Sequence, residues 1–277
     1  MSRHHHDEPH DDFGGLQRDL IATGAAMDRR GMLRLAARFG LGAGALQLIG
    51  CGASATSPSS TSTTNTNGGA CSKIPEETQG PFPGDGSNGP NVLNQSGVVR
   101  SDIRSSFAGA SGSAEGATLT VKITLVDVNG GCAKLAGYAV YLWHCDRDGL
   151  YSLYTAPTEN YLRGVQETDA DGTVTFTTTF PGCYPGRWPH IHFEIYPSLA
   201  AATSSGSKIA TSQLALPADV CGDVYTAADY AASATNLTQV SLSSDMVFSD
   251  GFAQQLAVVS GSAAAGYTAT LEVAVAV

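Results

Sequence analysis

Alternation of apolar and polar residues recurs along the chain from residue 117 onward and predicts β-strands. Residues 117–128, ATLTVKITLVDV, alternate apolar and polar side chains, and in residues 173–180, TVTFTTTF, Val174 and Phe176 alternate with threonines. This is the period of a strand that buries one face. The segments 137–145, 190–196 and 266–276 complete the clear set of strands.

Turns rich in glycine and aspartate separate these strands, and only one segment of this region has a helical pattern. Gly130-Gly131 ends the first strand, and a D-x-D-G turn over residues 169–172 leads into another. The helical pattern covers Asp223 to Ala232. Several short strands joined by such turns predict an all-β fold, an antiparallel β-sandwich with one short helix.

The N-terminal part of the chain has a different pattern. Residues 27–51 contain an arginine pair at 29–30, an uncharged run over 39–50 and then Cys51. Such a run is too short to cross a bilayer core of about 30 Å and is typical of the hydrophobic region of a signal peptide. The pattern resembles a twin-arginine signal with a lipoprotein box, which implies export, cleavage before Cys51 and lipid attachment there. A short amphipathic helix is the alternative.

A segment rich in serine and threonine follows the predicted signal. Residues 52–70 carry no charge and almost no apolar bulk, so we expect a disordered, flexible tether. The predicted organisation is a signal segment over 1–50, a linker over 51–70 and one β-sandwich domain over 71–277. We expect a lipid-anchored protein of the cell envelope, on the periplasmic or outer side. Translation from Met1 and from Met27 are both compatible with this organisation.

The distribution of charge narrows the class of partner. Residues 1–50 contain six Arg and six acidic residues, so the remainder carries the whole formal charge of −10. An acidic domain without a basic cluster argues against binding nucleic acid, or an anionic membrane, through charge. We therefore expect a small-molecule site, with membrane attachment only through the lipid at Cys51. The pattern does not indicate an oligomeric state.

Five cysteines remain once Cys51 is set aside: Cys71, Cys132, Cys145, Cys183 and Cys221. The odd number means that at least one does not pair within the chain. Export into an oxidising compartment predicts one or two disulfides, but the spacing does not give their pairing. The absence of a C-x-x-C motif argues against a zinc ribbon.

His190 and His192 are candidate metal ligands. They lie two apart on a predicted strand, so their side chains leave the same face with Cβ atoms roughly 7 Å apart. Tyr184 and Arg187 precede them in a turn rich in proline and glycine. A phenol becomes a ligand only when the metal displaces its proton, which favours Fe(III) over Zn(II). A zinc site that recruits His144 is the alternative.

Several segments in the same order resemble the intradiol ring-cleavage dioxygenases, the family of protocatechuate and catechol dioxygenases. They are LWHCDRDGLYS, NYLRGVQETDADGTVTF, FPGCYPGRWPHIHFEIY and TSQLALP. The chain is most similar to the exported, single-domain branch of that family, over about residues 71–277. The resemblance implies Fe(III) held by Tyr151, Tyr184, His190 and His192, with Arg187 and Gln213 beside the substrate.

The resemblance also implies an activity. A catechol would bind the iron in place of Tyr151, and O2 would cleave its ring between the two hydroxyl-bearing carbons to give a muconate-type diacid. Arg187 would stabilise the negative charge that develops. Alternatives are a zinc hydrolase, and a non-catalytic tethered β-sandwich that binds aromatic compounds or an envelope partner.

Other residues of these segments are interpreted as structural or as departures from the family. We expect Trp143 and His144 to pack and Arg163 to form a structural charge pair. The residues Gln79, Phe82 and Cys183 differ from those usual in the resembled family. Since none of the three is an expected iron ligand, these departures affect the choice of substrate more than the type of reaction.

Overall fold

The computed structural model describes residues 71–277. The predicted signal segment, the linker and Cys51 lie outside the described residues. Nine strands within this range form two sheets. The first sheet contains β1 (Thr118–Asp127), β2 (Ala133–Lys134), β5 (Thr173–Thr179), β8 (Val258–Ser262) and β9 (Gly266–Val275). The second contains β3 (Ala139–Trp143), β4 (Arg163–Glu167), β6 (His190–Tyr196) and β7 (Ala210–Ala215).

The connections confirm the predicted all-β sandwich and add one parallel pair. In the first sheet β1 pairs antiparallel with β2 and β5, and parallel with β9, which pairs antiparallel with β8. The second sheet has the order β4-β3-β6-β7, and all its pairs are antiparallel.

The main core lies between the sheets and follows the predicted alternation. Every second residue of β1 and of β6 is fully buried in it: Leu119, Val121, Ile123, Leu125, Ile191, Phe193 and Ile195. Because side chains alternate along a strand, His190, His192 and Glu194 lie on the other face of the second sheet.

This outer face of the second sheet is buried as well. Tyr141, Trp143 and Tyr196 form a second apolar cluster there with residues from the chain before β1, among them Val92 and Val98. All seven residues of β6 are therefore buried. The fold thus contains a third layer, made of loops, over one sheet of the sandwich, and it encloses the candidate site.

The helical region differs from the prediction. Two short helices, α1 (Ala218–Val224) and α2 (Ala231–Leu237), replace the single helix predicted over Asp223–Ala232. The Thr226 hydroxyl donates to the Asp223 carbonyl, a side-chain bond that competes with continuation of the helix. Neither helix of the described residues is long and apolar enough to cross a membrane.

The structure supplies the disulfide pairing that the spacing left open. Cys71 and Cys132 form a disulfide between the first described residue and the turn after β1. Cys145, Cys183 and Cys221 are buried and form no disulfide. One bridge therefore fastens the start of the domain to the first sheet.

Replacing both Cys71 and Cys132 by serine should lower the free energy of unfolding by about 2–4 kcal/mol, because the bridge restricts the unfolded chain over a sequence separation of 61. Urea unfolding without reductant measures this difference. Reductant should lower the wild-type midpoint to that of the variant and leave the variant unchanged. A variant as stable as the wild type would contradict the prediction.

Candidate metal centre

A row of paired residues crosses the outer face of the second sheet. Trp143 pairs with Arg163 on one side and with His192 on the other, and His192 pairs with Gln213. Residues directly opposite each other in antiparallel strands point to the same face. The four side chains therefore lie side by side, and the Trp143 ring stacks on the imidazole of His192 at 4.9 Å.

His190 lies at the start of β6, two residues before His192, and its Nε2 atom is the point on which other groups converge. The His192 Nε2 atom lies 3.1 Å away, the Tyr184 hydroxyl 3.3 Å and the Tyr151 hydroxyl 3.5 Å. His190, His192 and Tyr151 are buried, and Tyr184 is half-buried. The structure thus brings together all four residues predicted as metal ligands.

Two loops place the phenols. Tyr151 follows β3, in a loop whose Asp146 carboxylate accepts from the backbone N–H of Asp148 and Leu150. Gly149 in this loop has φ +83°, and a Cβ atom there would lie 2.9 Å from the Tyr184 Cβ. A glycine is therefore required for the two loops to approach closely enough to bring both phenols to one site.

The orientation of His190 is fixed by its other nitrogen. His190 Nδ1 lies 2.5 Å from the Trp188 carbonyl oxygen, which can only accept, so Nδ1 carries the proton. The lone pair of Nε2 is then directed at His192 and the phenols, the arrangement seen for histidine ligands of metals. His192 Nδ1 is buried without a hydrogen bond to any described residue.

Burial sets the protonation of the four groups. It lowers the pKa of His190 and of His192 well below the usual value, with a further lowering from Arg187 at both. Burial also raises the pKa of Tyr184 to about 12 and that of Tyr151 well above its usual value. The imidazoles are therefore neutral donors, and the phenols keep their protons unless a cation compensates the negative charge.

The donor set fits a metal ion. Donors about 2.1 Å from a metal and separated by 90–110° lie about 3.0–3.4 Å from one another, close to the distances to His190 Nε2. No group of three or more His, Cys, Asp or Glu side chains within residues 71–277 is placed to hold a metal. A metal here would therefore take phenol oxygens as ligands, and hard, anionic oxygen favours Fe(III).

The structure does not assemble the alternative zinc site. His144 follows Trp143 and points to the opposite face of the second sheet, where its Nε2 lies 2.7 Å from the Thr178 hydroxyl. Its Nδ1 lies 2.7 Å from the Cys145 carbonyl oxygen. His144 is therefore a buried packing residue with both ring nitrogens hydrogen bonded, as predicted, and does not join His190 and His192.

Arg187 approaches the same point from the side. Its Nη1 lies 3.5 Å from His190 Nε2, its Nη2 donates to Gln213 Oε1 at 2.6 Å and its Nε donates to Asp245 at 2.9 Å. Burial alone lowers the pKa of Arg187, but Tyr184 and Asp245 raise it above the usual value, so the guanidinium stays charged. The predicted residues Arg187 and Gln213 are thus at the site, together with Asp245, which the sequence did not reveal.

Residues 78–88, the cover segment, pack over the site on the outer face of the second sheet. Phe82 lies with its ring centroid 4.9 Å from that of Tyr151, and a Cβ atom on Gly80 would lie 3.4 Å from His192 Cε1. Arg163 donates to the Phe82 and Pro83 carbonyls at 2.9 and 2.8 Å. No carboxylate of the described chain lies within ion-pair distance of Arg163, so its predicted charge pair is wrong, although its structural role is correct.

Comparisons with known proteins place the chain among dioxygenases. A family model described as Dioxygenase matches residues 88–260. The chain is similar to the solved intradiol ring-cleavage dioxygenase from Tetranychus urticae, with 25% identity and a TM-score of 0.58 over 74% of this chain and 95% of that chain. A second solved dioxygenase gives 25% identity and a TM-score of 0.59 with the same coverage. No curated protein matches the chain.

Loading the protein with Fe(III) should give a burgundy colour from charge transfer between phenolate and iron, and Tyr184→Phe should weaken or shift this absorption because one of two phenol donors is lost. Absorption spectra and iron content measure the change. Tyr138→Phe is the matched control, since Tyr138 packs against the core between the sheets, on the face opposite the site, and its loss of a hydroxyl should leave the spectrum unaltered. Equal spectra for all three proteins would rule out Tyr184 as a ligand.

Proposed function

The chain belongs to the intradiol ring-cleavage dioxygenase family, and from this membership we propose that it cleaves catechol-type rings with O2 between the two hydroxyl-bearing carbons. The product would be a muconate-type diacid. The observation that carries the proposal is the convergence of two phenol oxygens and the neutral imidazole of His192 within 3.5 Å of Nε2 of His190, which is itself neutral. His190, His192, Tyr151 and Tyr184 would hold Fe(III).

Bound Fe(III) would supply the chemistry of a Lewis acid, which draws electron density from a chelated catechol and activates its ring toward O2. Tyr151 would move a proton in this scheme. Burial holds the pKa of its hydroxyl well above the usual value, so a Tyr151 phenolate whose charge no cation compensates is a strong base. It can therefore take the proton of a substrate hydroxyl and give up its place to the substrate oxygen.

Arg187 would stabilise the reaction through Nη1. Its other two nitrogens are engaged by Asp245 and Gln213, so Nη1 is the part of the guanidinium that faces the centre. A buried, pre-oriented donor of this kind stabilises negative charge that develops on a substrate oxygen more strongly than water does. The cover segment, with the ring of Phe82, would exclude water from the space around the four expected ligands.

The cellular location of the protein is predicted from its sequence alone. The twin-arginine signal, the lipid anchor at Cys51 and residence in the cell envelope stay predictions from residues 27–51. Recovery of a lipid-modified Cys51 peptide by mass spectrometry would support them.

Iron-loaded protein should consume one O2 per catechol and form a ring-cleaved diacid, because both oxygen atoms enter the product. An oxygen electrode measures uptake across a panel of catechols, and product absorbance separates cleavage between the hydroxyls from cleavage beside them. Tyr184→Phe should lose most of this activity, and Tyr138→Phe, a change on the opposite face of the sheet, should keep it. Iron-loaded protein that consumes no oxygen with any catechol, and only binds it, would favour the non-catalytic alternative.

An uncharged catechol should be a better substrate than one that carries a ring carboxylate, with kcat/KM about tenfold or more in its favour. The Arg187 charge is already paired with Asp245, and the chain has a net charge of −10, which repels anions. Comparing 4-methylcatechol with 3,4-dihydroxybenzoate tests the effect of the substrate's charge, because the two molecules are similar in size. Added salt should narrow the ratio by screening. A preference for the carboxylate would refute this expectation.

A further inference from the structure

Asp245 is a fully buried carboxylate that the reaction scheme above does not use. Its Oδ2 atom accepts from Arg187 Nε at 2.9 Å and from the Trp188 backbone N–H at 2.7 Å. Its Oδ1 atom accepts from the backbone N–H groups of Val247 and Phe248 at 2.8 and 3.2 Å. Since three of these four donors belong to the backbone, the carboxylate is fixed in place by the chain itself.

The fixed carboxylate orients the guanidinium of Arg187. Asp245 holds Nε, and Gln213 Oε1 holds Nη2 at 2.6 Å. Gln213 is itself restrained, because its Nε2 donates to the Thr78 carbonyl at 2.9 Å. A planar group held along two edges has one orientation, and this orientation leaves Nη1 at 3.5 Å from His190 Nε2.

Of the two contacts, only the one with Asp245 supplies the negative charge that the buried guanidinium of Arg187 needs. Arg187 is only 3% exposed, and a buried guanidinium is costly without an opposite charge. Within residues 71–277, Asp245 is the one carboxylate at ion-pair distance from it. A trivalent cation at the neighbouring centre would repel the guanidinium, so an opposing charge on its far side is required to keep it there.

We propose that Asp245 is a positioning residue, which holds Arg187 with Nη1 directed at the metal centre and thereby sets the rate of ring cleavage without contacting substrate. The proposal rests on the proposed function for its kinetic part and on the contacts alone for its structural part.

The test compares the iron-loaded wild type with Asp245→Asn, Arg187→Ala and the double variant. Asp245→Asn keeps the size of the side chain and removes its charge. We expect kcat to fall about 10- to 100-fold with KM changed less than about threefold, because the interaction of Arg187 is made mainly in the transition state. In the Arg187→Ala background the same change should not lower kcat further, since Asp245 acts through Arg187.

Two further measurements separate positioning from a purely structural role. The visible absorption of Asp245→Asn should match that of the wild type, because Asp245 contacts none of the four expected ligands. A crystal structure should show Arg187 Nη1 displaced from His190. Asp250→Asn is the matched control: this carboxylate is exposed, lies in the same segment and should leave kcat unchanged.

An equal loss of kcat in both backgrounds, or an unmoved Arg187 in Asp245→Asn, would overturn the proposal. If Asp245→Asn does not fold, a wild-type crystal structure with a catechol bound decides the matter. Arg187 bonded to Asp245 and directed at the ligand would support positioning, and Arg187 turned away would refute it. Wild type without oxygen uptake would refute the proposed function alone, because the position of Arg187 is read without turnover.

Discussion

The candidate centre depends on burial of the second sheet on both faces. Its inner face packs into the sandwich core, and its outer face is closed by the chain before β1 and the loop after β3. Removal of water from this outer layer keeps both imidazoles neutral and both phenols protonated, as the direction of their pKa shifts shows. Two neutral imidazoles and two phenols that point at one another satisfy few hydrogen bonds by themselves. Around a cation, all four can act as ligands.

Burial of this face also requires its charged side chains to find polar partners within the protein. Arg187 pairs with Asp245, and Lys208 contacts Glu194 at 2.7 Å and Gln79 at 2.6 Å. Arg163 donates to backbone and hydroxyl oxygens instead. Buried pairs of this kind are weak evidence for stability, but each is satisfied only when distant segments meet correctly. The polar layer thus holds the cover segment and the loop of Tyr184 against the sheet.

Two strands that the sequence did not predict, β4 and β7, share one physical feature. The strand β4 reads RGVQE and β7 reads ATSQLA, so polar side chains occupy positions that the structure buries. Their alternation is hidden because the outer face is polar and yet enclosed. The strand β8, VVSGS, lies at a sheet edge and is mostly exposed, so it needs no apolar pattern. The predicted helix over 223–232 was wrong in its bounds: α1 ends at Val224, where no proline or glycine marks the end and the Thr226 hydroxyl beyond it bonds the Asp223 carbonyl.

The sequence by itself determined the sandwich, through the period of its strands, and placed His190 and His192 on one face. Its resemblance to a known family also supplied Tyr151, Tyr184, Arg187 and Gln213, because these residues lie in local motifs that can be read in order. Only the tertiary structure decided that Asp245 holds Arg187, 58 residues away, and that His144 faces the opposite side. The physical reason is that a buried charge finds its partner through folding, and neither chain period nor local motif records which distant carboxylate that will be.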